Sequence, residues 1–262
     1  MARYDRTIPP GGEGKITLKV KTKAYQGNVH KTARVSTNDP KHAQMTIGLK
    51  GKVWVPIRVS PQVVHLRGVE GEPIDRLVAL EAQKKDPLEV KVASVSIPDK
   101  IDVVVKEVEK GRKFQVKVKN KVDTAAMYNG SVKLSTSYPE KPEMTIRVSA
   151  NIRPVLEVRP KVLNFGRMTR KRLDQLRKGG FGVRPVTVVL NRGEGLHIDK
   201  VEVEKSLFKA TTKDIRPGRV AQVLVEPVFE NLKQGKNQDH LKIYTNQKSR
   251  PVVDVNVTFD IL

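Results

Sequence analysis

The chain has 262 residues, enough for two or three small domains, and Val, Thr and Ile recur at alternate positions in a way that favours strands. It has no cysteine, which excludes disulfides, thiolate metal sites and cysteine nucleophiles within the chain. Its net charge of +22, from 50 Lys and Arg against 28 Asp and Glu, favours a polyanionic partner such as nucleic acid, an acidic polysaccharide or an anionic membrane surface. The sequence contains neither a secretory signal nor an apolar run of about 18 residues.

Residues 1–56 predict three strands, at about 14–23, 28–37 and 44–54, and no strand before them. In the first of these, Ile, Leu and Val alternate with polar residues, which indicates one buried face and one exposed face. The exposed face carries a short ridge of lysines: Lys15, Lys19 and Lys21. Two interpretations of this ridge stay open, contact with an anionic partner or protection of a strand edge against other sheets.

A pattern of about one hundred residues occurs three times, in residues 9–53, 109–152 and 216–261. Each segment has a glycine turn, a strand, a second glycine, a strand that closes on a threonine, and then a turn and a last strand. The first glycines are Gly11, Gly111 and Gly218, the second glycines are Gly27, Gly130 and Gly235, and the threonines are Thr37, Thr136 and Thr245. Turn signals at this spacing are typical of a two-sheet antiparallel sandwich.

A second repeated segment opens the two later units, as VPIRVSPQVVHL at 55–66 and as RPVLEVRPKVLNF at 153–165. Its prolines, Pro61 and Pro160, lie 99 residues apart, the same separation as the first two repeated threonines. The sequence therefore predicts an all-β fold of tandem antiparallel β-sandwiches, the first one partial.

The predicted domains are the C-terminal half of a sandwich at 1–56, a whole sandwich at 57–152 and a second whole sandwich at 153–262. Half a sandwich leaves apolar side chains without a partner sheet, and an isolated small sheet is marginally stable in water. Something is then expected to cover residues 1–56: the neighbouring unit, a second copy of the chain through self-association, or an upstream segment.

The stretch IPPGGEGKI, the following Gly27 and the turn TNDP at 37–40 resemble the bacterial family catalogued as domain of unknown function 1573. The resemblance is strongest over residues 2–53 and weaker in the third unit, in LNFG at 163–166 and YTN at 244–246. Members of that family are Ig-like sandwiches related to PapD-like, major sperm protein and Hydin-type domains. The resemblance implies Ig-like domains and export to the periplasm or cell envelope, and it implies no chemistry.

Family members usually carry earlier strands and a Cys-Gly-Cys-Thr stretch before the segment that matches Ala2–Gly14. They also carry a signal peptide or lipoprotein signal. The resemblance therefore implies that the natural protein begins upstream of Met1 and is exported, whereas a genuine short form is the alternative.

No motif in the sequence predicts catalysis or a cofactor. The histidines lie on different predicted strands and turns and lack metal-ligand spacing: His30, His42, His65, His197 and His240. A calcium role for Asn38 and Asp39 is disfavoured because one acidic residue is too few and the equivalent turns lack those ligands. GGEG and GGFG lack the Lys-Ser/Thr that a phosphate-binding loop requires. We therefore expect no catalytic, cofactor-binding or metal-binding residues.

The segment GRMTRKRLDQLRKGGFG at 166–182 interrupts the third unit soon after its first strands and predicts a long loop or a short helix near 170–178. The basic insert at 167–184 supplies the candidate contacts for a polyanion or a protein partner: Arg167, Arg170, Lys171, Arg172, Arg177, Lys178 and Arg184. A solvated charged loop on a basic protein is the alternative interpretation.

These observations lead to a non-enzymatic, tandem Ig-like structural or binding protein, exported, whose basic surface contacts an acidic partner. The alternative function is an intracellular protein that binds nucleic acid or another polyanion, as the net charge allows. The aromatic content of 5% disfavours stacking of single-stranded nucleic acid. A hydrolase or metalloenzyme ranks third.

Overall fold

The computed structural model describes residues 2–9, 11–23, 25–169, 171–172 and 183–262. Among these residues lie twenty strands, which confirms the predicted all-β fold and its tandem β-sandwiches. Of the helix expected near 170–178, only Lys171 and Arg172 are described, and both are helical.

The first segment forms two separate two-stranded sheets. Its strands are β1 (Ala2–Tyr4), β2 (Ile16–Leu18), β3 (Gly27–Ser36) and β4 (Gln44–Val53). β1 pairs with β2 and β3 pairs with β4, both antiparallel. The expectation of no strand before residue 14 is wrong, and the predicted strand at 14–23 shrinks to three residues because its pairing ends where β1 ends.

The second segment forms two four-stranded sheets. Its strands are β5 (Ile57–Ser60), β6 (Val63–Val69), β7 (Asp75–Ala82), β8 (Val90–Val95), β9 (Ile101–Glu109), β10 (Lys113–Asn120), β11 (Ala126–Thr136) and β12 (Glu143–Arg153). The strand orders are β5-β7-β10-β9 and β6-β12-β11-β8. In β10, Phe114, Val116 and Val118 are buried and the lysines between them are exposed, as the alternation predicts.

The third segment has the same arrangement eight strands later. Its strands are β13 (Leu156–Arg159), β14 (Val162–Met168), β15 (Arg184–Leu190), β16 (Ile198–Val203), β17 (Phe208–Arg216), β18 (Val220–Pro227), β19 (Gly235–Thr245) and β20 (Val252–Ile261). The orders are β13-β15-β18-β17 and β14-β20-β19-β16. β14 runs parallel to β20, which the prediction of antiparallel sheets did not anticipate.

Comparison of the segments shows what the first one contains. The pairs β1-β2 and β3-β4 take the places of β9-β10 and β11-β12, and the turn glycines before β2, β10 and β18 all have positive φ. The four strands of the first segment thus correspond to the last four of the eight strands in the second segment.

The chain divides into two compact units. The first comprises residues 1–64, 75–119 and 130–148, and the second comprises residues 65–74, 120–129 and 149–262. The domain boundaries predicted from the sequence, at 56/57 and 152/153, stay a prediction.

Candidate partner-binding surface

The candidate surface lies at the end of β14, where the basic segment begins. A shallow cavity opens there, lined by Asn164, Gly166, Arg167, Lys236, Thr258, Phe259 and Asp260. Gly166 has a φ of +88°, and the register between β14 and β20 shifts between Asn164 and Arg167. An irregularity of this kind bends a strand and re-aims the side chains that follow it, here Arg167.

Arg167 and Lys236 flank one carboxylate. Asp260 on β20 lies opposite Arg167 on β14 and opposite Lys236 on β19. The Arg167 Nε atom donates a hydrogen bond to Asp260 Oδ2 at 2.9 Å, yet the Arg167 side chain is 69% exposed. Lys236 lies opposite the same aspartate in the sheet register, and exposed ion pairs such as that of Arg167 with Asp260 are weak. The Arg167 guanidinium is therefore held only weakly by Asp260 and stays accessible from solvent.

Arg184 reaches the same place from the start of β15. Its Nη1 atom donates to the carbonyl oxygen of Asn164 at 2.5 Å, and its guanidinium carbon lies 5.3 Å from the ring centroid of Phe165. Phe165 is fully buried, whereas Arg184 is exposed. The cation–π contact and the backbone hydrogen bond hold the guanidinium in place and leave further N–H donors for a partner. Arg167 and Arg184 thus both lie around Asn164.

The remaining predicted contacts of the basic segment are only partly described. Lys171 and Arg172 are exposed. Arg170, Arg177 and Lys178 lie outside the described residues.

The three lysines of the first segment do not form a ridge along a strand. Lys15 precedes β2, and Lys19 and Lys21 follow it, so the strand carries none of them. All three are exposed. The backbone of Lys15 is tied to Asp5, whose carboxylate accepts from the Lys15 N–H at 2.8 Å.

Lys236 was missed by the sequence analysis. It follows the second repeated glycine, a position that Asn28 and Ser131 occupy in the other two repeats. The repeat therefore gave no signal for a basic residue there. Only the register between β19 and β20 places Lys236 beside Asp260.

One basic residue elsewhere on the third segment, Lys200, is more fully paired. On the outer face of β16 and β19, Tyr244 donates its hydroxyl to Glu202 Oε2 at 2.6 Å, and Lys200 contacts the other oxygen. The hydrogen bond from the Lys200 ammonium, and to a lesser degree that from the Tyr244 hydroxyl, lowers the pKa of Glu202 below its usual value. This cluster satisfies its own charges, in contrast to the end of β14.

Over the described part of the chain, no group of three or more His, Asp or Glu residues is placed to hold a metal ion. His42 and Asp39, in the TNDP turn, form a pair at 2.9 Å that is exposed on both sides. No helix among the described residues has the length and apolar character needed to cross a bilayer.

No family model matches the chain, and no curated protein matches it. Membership of the family catalogued as domain of unknown function 1573 therefore stays a prediction. Solved structures of β-sandwich type are similar at low identity.

A protein of unknown function from Porphyromonas gingivalis W83 has 14% identity and a TM-score of 0.32, over 79% of this chain and 100% of that one. The YadV chaperone has 14% identity and a TM-score of 0.28, over 78% of this chain and 100% of that one. The titin domains Z1Z2, solved with telethonin, have 9% identity and a TM-score of 0.26, over 79% and 96%. Likenesses this weak identify no function.

Proposed function

We propose that this chain is a non-enzymatic binding protein, an exported tandem Ig-like scaffold whose third segment contacts an acidic partner through the surface around the end of β14. The observation that carries the proposal is the pair of exposed guanidinium groups, Arg167 and Arg184, placed around Asn164 with Lys236 beside them. Arg167 is paired with Asp260, Lys236 lies opposite Asp260 in the sheet register, and Arg184 bonds a backbone carbonyl, so a partner carboxylate or phosphate at this surface gains charge-assisted hydrogen bonds.

The distribution of charge along the chain supports this location. Residues 153–262 carry 22 Lys and Arg against 12 Asp and Glu, whereas residues 57–152 carry 17 against 13. Residues 1–56 are also basic, with 11 against 3, and provide a second candidate contact through Lys15, Lys19 and Lys21. The middle segment is the least suited to an anion.

The experiment compares two variants with the same loss of charge. The first replaces Arg167, Lys171, Arg172 and Arg184 by Ser, and the matched control replaces four exposed lysines of the middle segment by Ser: Lys91, Lys117, Lys119 and Lys133. Binding to labelled poly-glutamate and to a single-stranded oligonucleotide is measured across a range of salt concentrations. We expect the first variant to lose affinity and salt dependence and the control to lose little of either.

Equal losses in the two variants would mean that net charge alone governs binding, and the surface around β14 would then have no special role. The two probes separate the candidate functions. If the natural chain prefers the oligonucleotide, the intracellular nucleic-acid binder is favoured. In that case the slope of log affinity against log salt concentration should become shallower in the first variant, by about 0.7 for each lost phosphate contact. Preference for poly-glutamate favours an acidic protein partner.

A further inference from the structure

The strand β9 ends its sheet and carries exposed apolar residues. It is the last strand in the order β5-β7-β10-β9, so one side of its backbone faces no other described strand of that sheet. On its outward face Val104 is 60% exposed and Val108 is 54% exposed. Natural edge strands are usually short, bulged or heavily charged, because a long apolar edge invites another strand to pair with it.

The outward face of β9 is complementary to itself. Asp102, Val104 and Lys106 alternate with inward residues and are all exposed. When two copies of β9 pair antiparallel about a two-fold axis at Val104, residue 102 of each copy lies opposite residue 106 of the other. Asp102 then faces Lys106 twice, and Val104 faces Val104 at the axis. Opposite charges and apolar pairs at directly opposed positions are the pairs that stabilise sheets.

The inward face of β9 supports the same register. Val103 and Val105 are half-buried, and the two-fold axis at Val104 places Val103 of each copy opposite Val105 of the other. Val105 borders a shallow groove whose lining includes Leu88, Val90 and Phe114. A second copy of β9 would cover the open side of this groove with valine.

The equivalent edge strand of the third segment lacks this property. β17 occupies the place of β9, and its buried Phe208 matches the buried Ile101. The positions equivalent to 102, 104 and 106 are then Lys209, Thr211 and Lys213. The same two-fold pairing would oppose lysine to lysine on both sides of the axis, which destabilises a sheet.

We propose that β9 is a homodimerisation edge: two copies of the chain pair antiparallel about Val104 and join their sheets into one continuous eight-stranded sheet. The occupant of the edge is a second copy, because the complementarity is between β9 and itself. Residues 57–152 carry the smallest net charge of the three segments, so repulsion between two basic chains is weakest there. One pair of edge strands buries little surface, so the dimer is weak and depends on concentration.

Charge reversal tests the register. Asp102→Lys places lysine opposite lysine in the homodimer, and Lys106→Asp places aspartate opposite aspartate. In sedimentation velocity over a concentration series, each variant alone is expected to dimerise about tenfold more weakly than the natural chain. Mixed in equal amounts, the two variants regain complementary charges and form a heterodimer, and the double variant D102K/K106D regains the homodimer.

The mixture is the decisive measurement because any loss of folding stability caused by either substitution affects the mixture and its separate components alike. Recovery of dimer in the mixture supports the proposal. A natural chain that stays monomeric at every concentration overturns it, as does a mixture that associates no better than its components.

A second measurement avoids charge altogether. The chain has no cysteine, so Val104→Cys introduces a single thiol at the proposed axis. Directly opposed residues of antiparallel strands have Cα atoms about 4.5–5.5 Å apart, which suits a disulfide. Mild oxidation is expected to cross-link Val104→Cys into dimers and to leave the matched control Thr211→Cys, on β17, monomeric. Equal cross-linking of both variants would contradict the proposed axis.

Discussion

The repeated threonines are the residues that close one turn in each segment. The hydroxyl group of each donates to the carbonyl oxygen five residues later: Thr37 to His42 at 2.9 Å, Thr136 to Lys141 at 2.5 Å and Thr245 to Arg250 at 2.8 Å. The same oxygen accepts from the N–H two residues later, at 3.2, 3.3 and 3.3 Å. Side chains of this type replace backbone partners in tight turns. The recurrence of threonine is thus explained by the turn and not by chemistry.

Thr245→Val is expected to lower the free energy of unfolding by about 1–2 kcal/mol, because it leaves the Arg250 carbonyl and the Gln247 N–H without the hydroxyl. Thr245 is 5% exposed, so water does not readily replace the lost partner. Chemical denaturation measures the change. The control Thr245→Ser keeps the hydroxyl and is expected to cost less; equal losses in the two variants would show that the methyl group, and not the hydroxyl, matters.

At the scale of elements, β3-β4 and β11-β12 show what flanking strands contribute. The two hairpins have closely matching sequences, QMTIGLKGKV in β4 and EMTIRVSANI in β12. Met45 and Leu49 are 43% and 37% exposed, whereas the equivalent Met144 and Val148 are 6% and 2% exposed. β11 and β12 lie between β8 and β6, whereas no other strand in the described part of the chain joins the sheet of β3 and β4. The lower exposure of Met144 and Val148 thus goes with the flanking strands β6 and β8 and not with the local sequence of the hairpin.

Hydrogen exchange is therefore expected to separate equivalent strands of one chain. The amides of 16–20 and 33–37 should exchange faster than those of 115–119 and 132–136, which occupy equivalent positions 99 residues later. The second pair of ranges serves as the internal control, since it has nearly the same local patterning. Equal protection would mean that another surface covers residues 1–56 in solution, as the expected self-association through this segment would do.

The sequence predicted what is local and periodic and missed what depends on distant pairing. Alternation predicted the buried side of β10, and the repeat predicted turns at Gly11, Gly111 and Gly218. β1 was missed because three residues carry no period, and only pairing with β2 makes them a strand. Lys236 and its neighbour Asp260 were missed because cross-strand register is invisible in a single sequence.

At the scale of the whole molecule, the third segment contains its own core. The buried apolar cluster that runs from Leu156 to Ile261 draws on both of its sheets. Phe165 is fully buried in this cluster, and its ring centroid lies 5.4 Å from that of Phe208 and 5.9 Å from that of Phe259. A segment that builds a buried apolar cluster from its own two sheets meets the main requirement for folding alone.

Residues 153–262 expressed alone are therefore expected to fold. The compact unit around them also includes residues 65–74 and 120–129, where the Glu70 carboxylate accepts from the N–H groups of Val155 at 2.8 Å and Ala125 at 2.9 Å. The isolated segment loses the bond to Val155 but keeps the aromatic cluster, so it should melt cooperatively at a somewhat lower temperature than in the whole chain.

Circular dichroism during heating measures this melting. Residues 1–56 alone are the control and should show no cooperative transition, since two small sheets are marginally stable in water. A segment 153–262 that melts without cooperativity would instead show that residues 65–74 and 120–129 are part of its folding unit, and that the compact unit, and not the sequence repeat, marks the boundary.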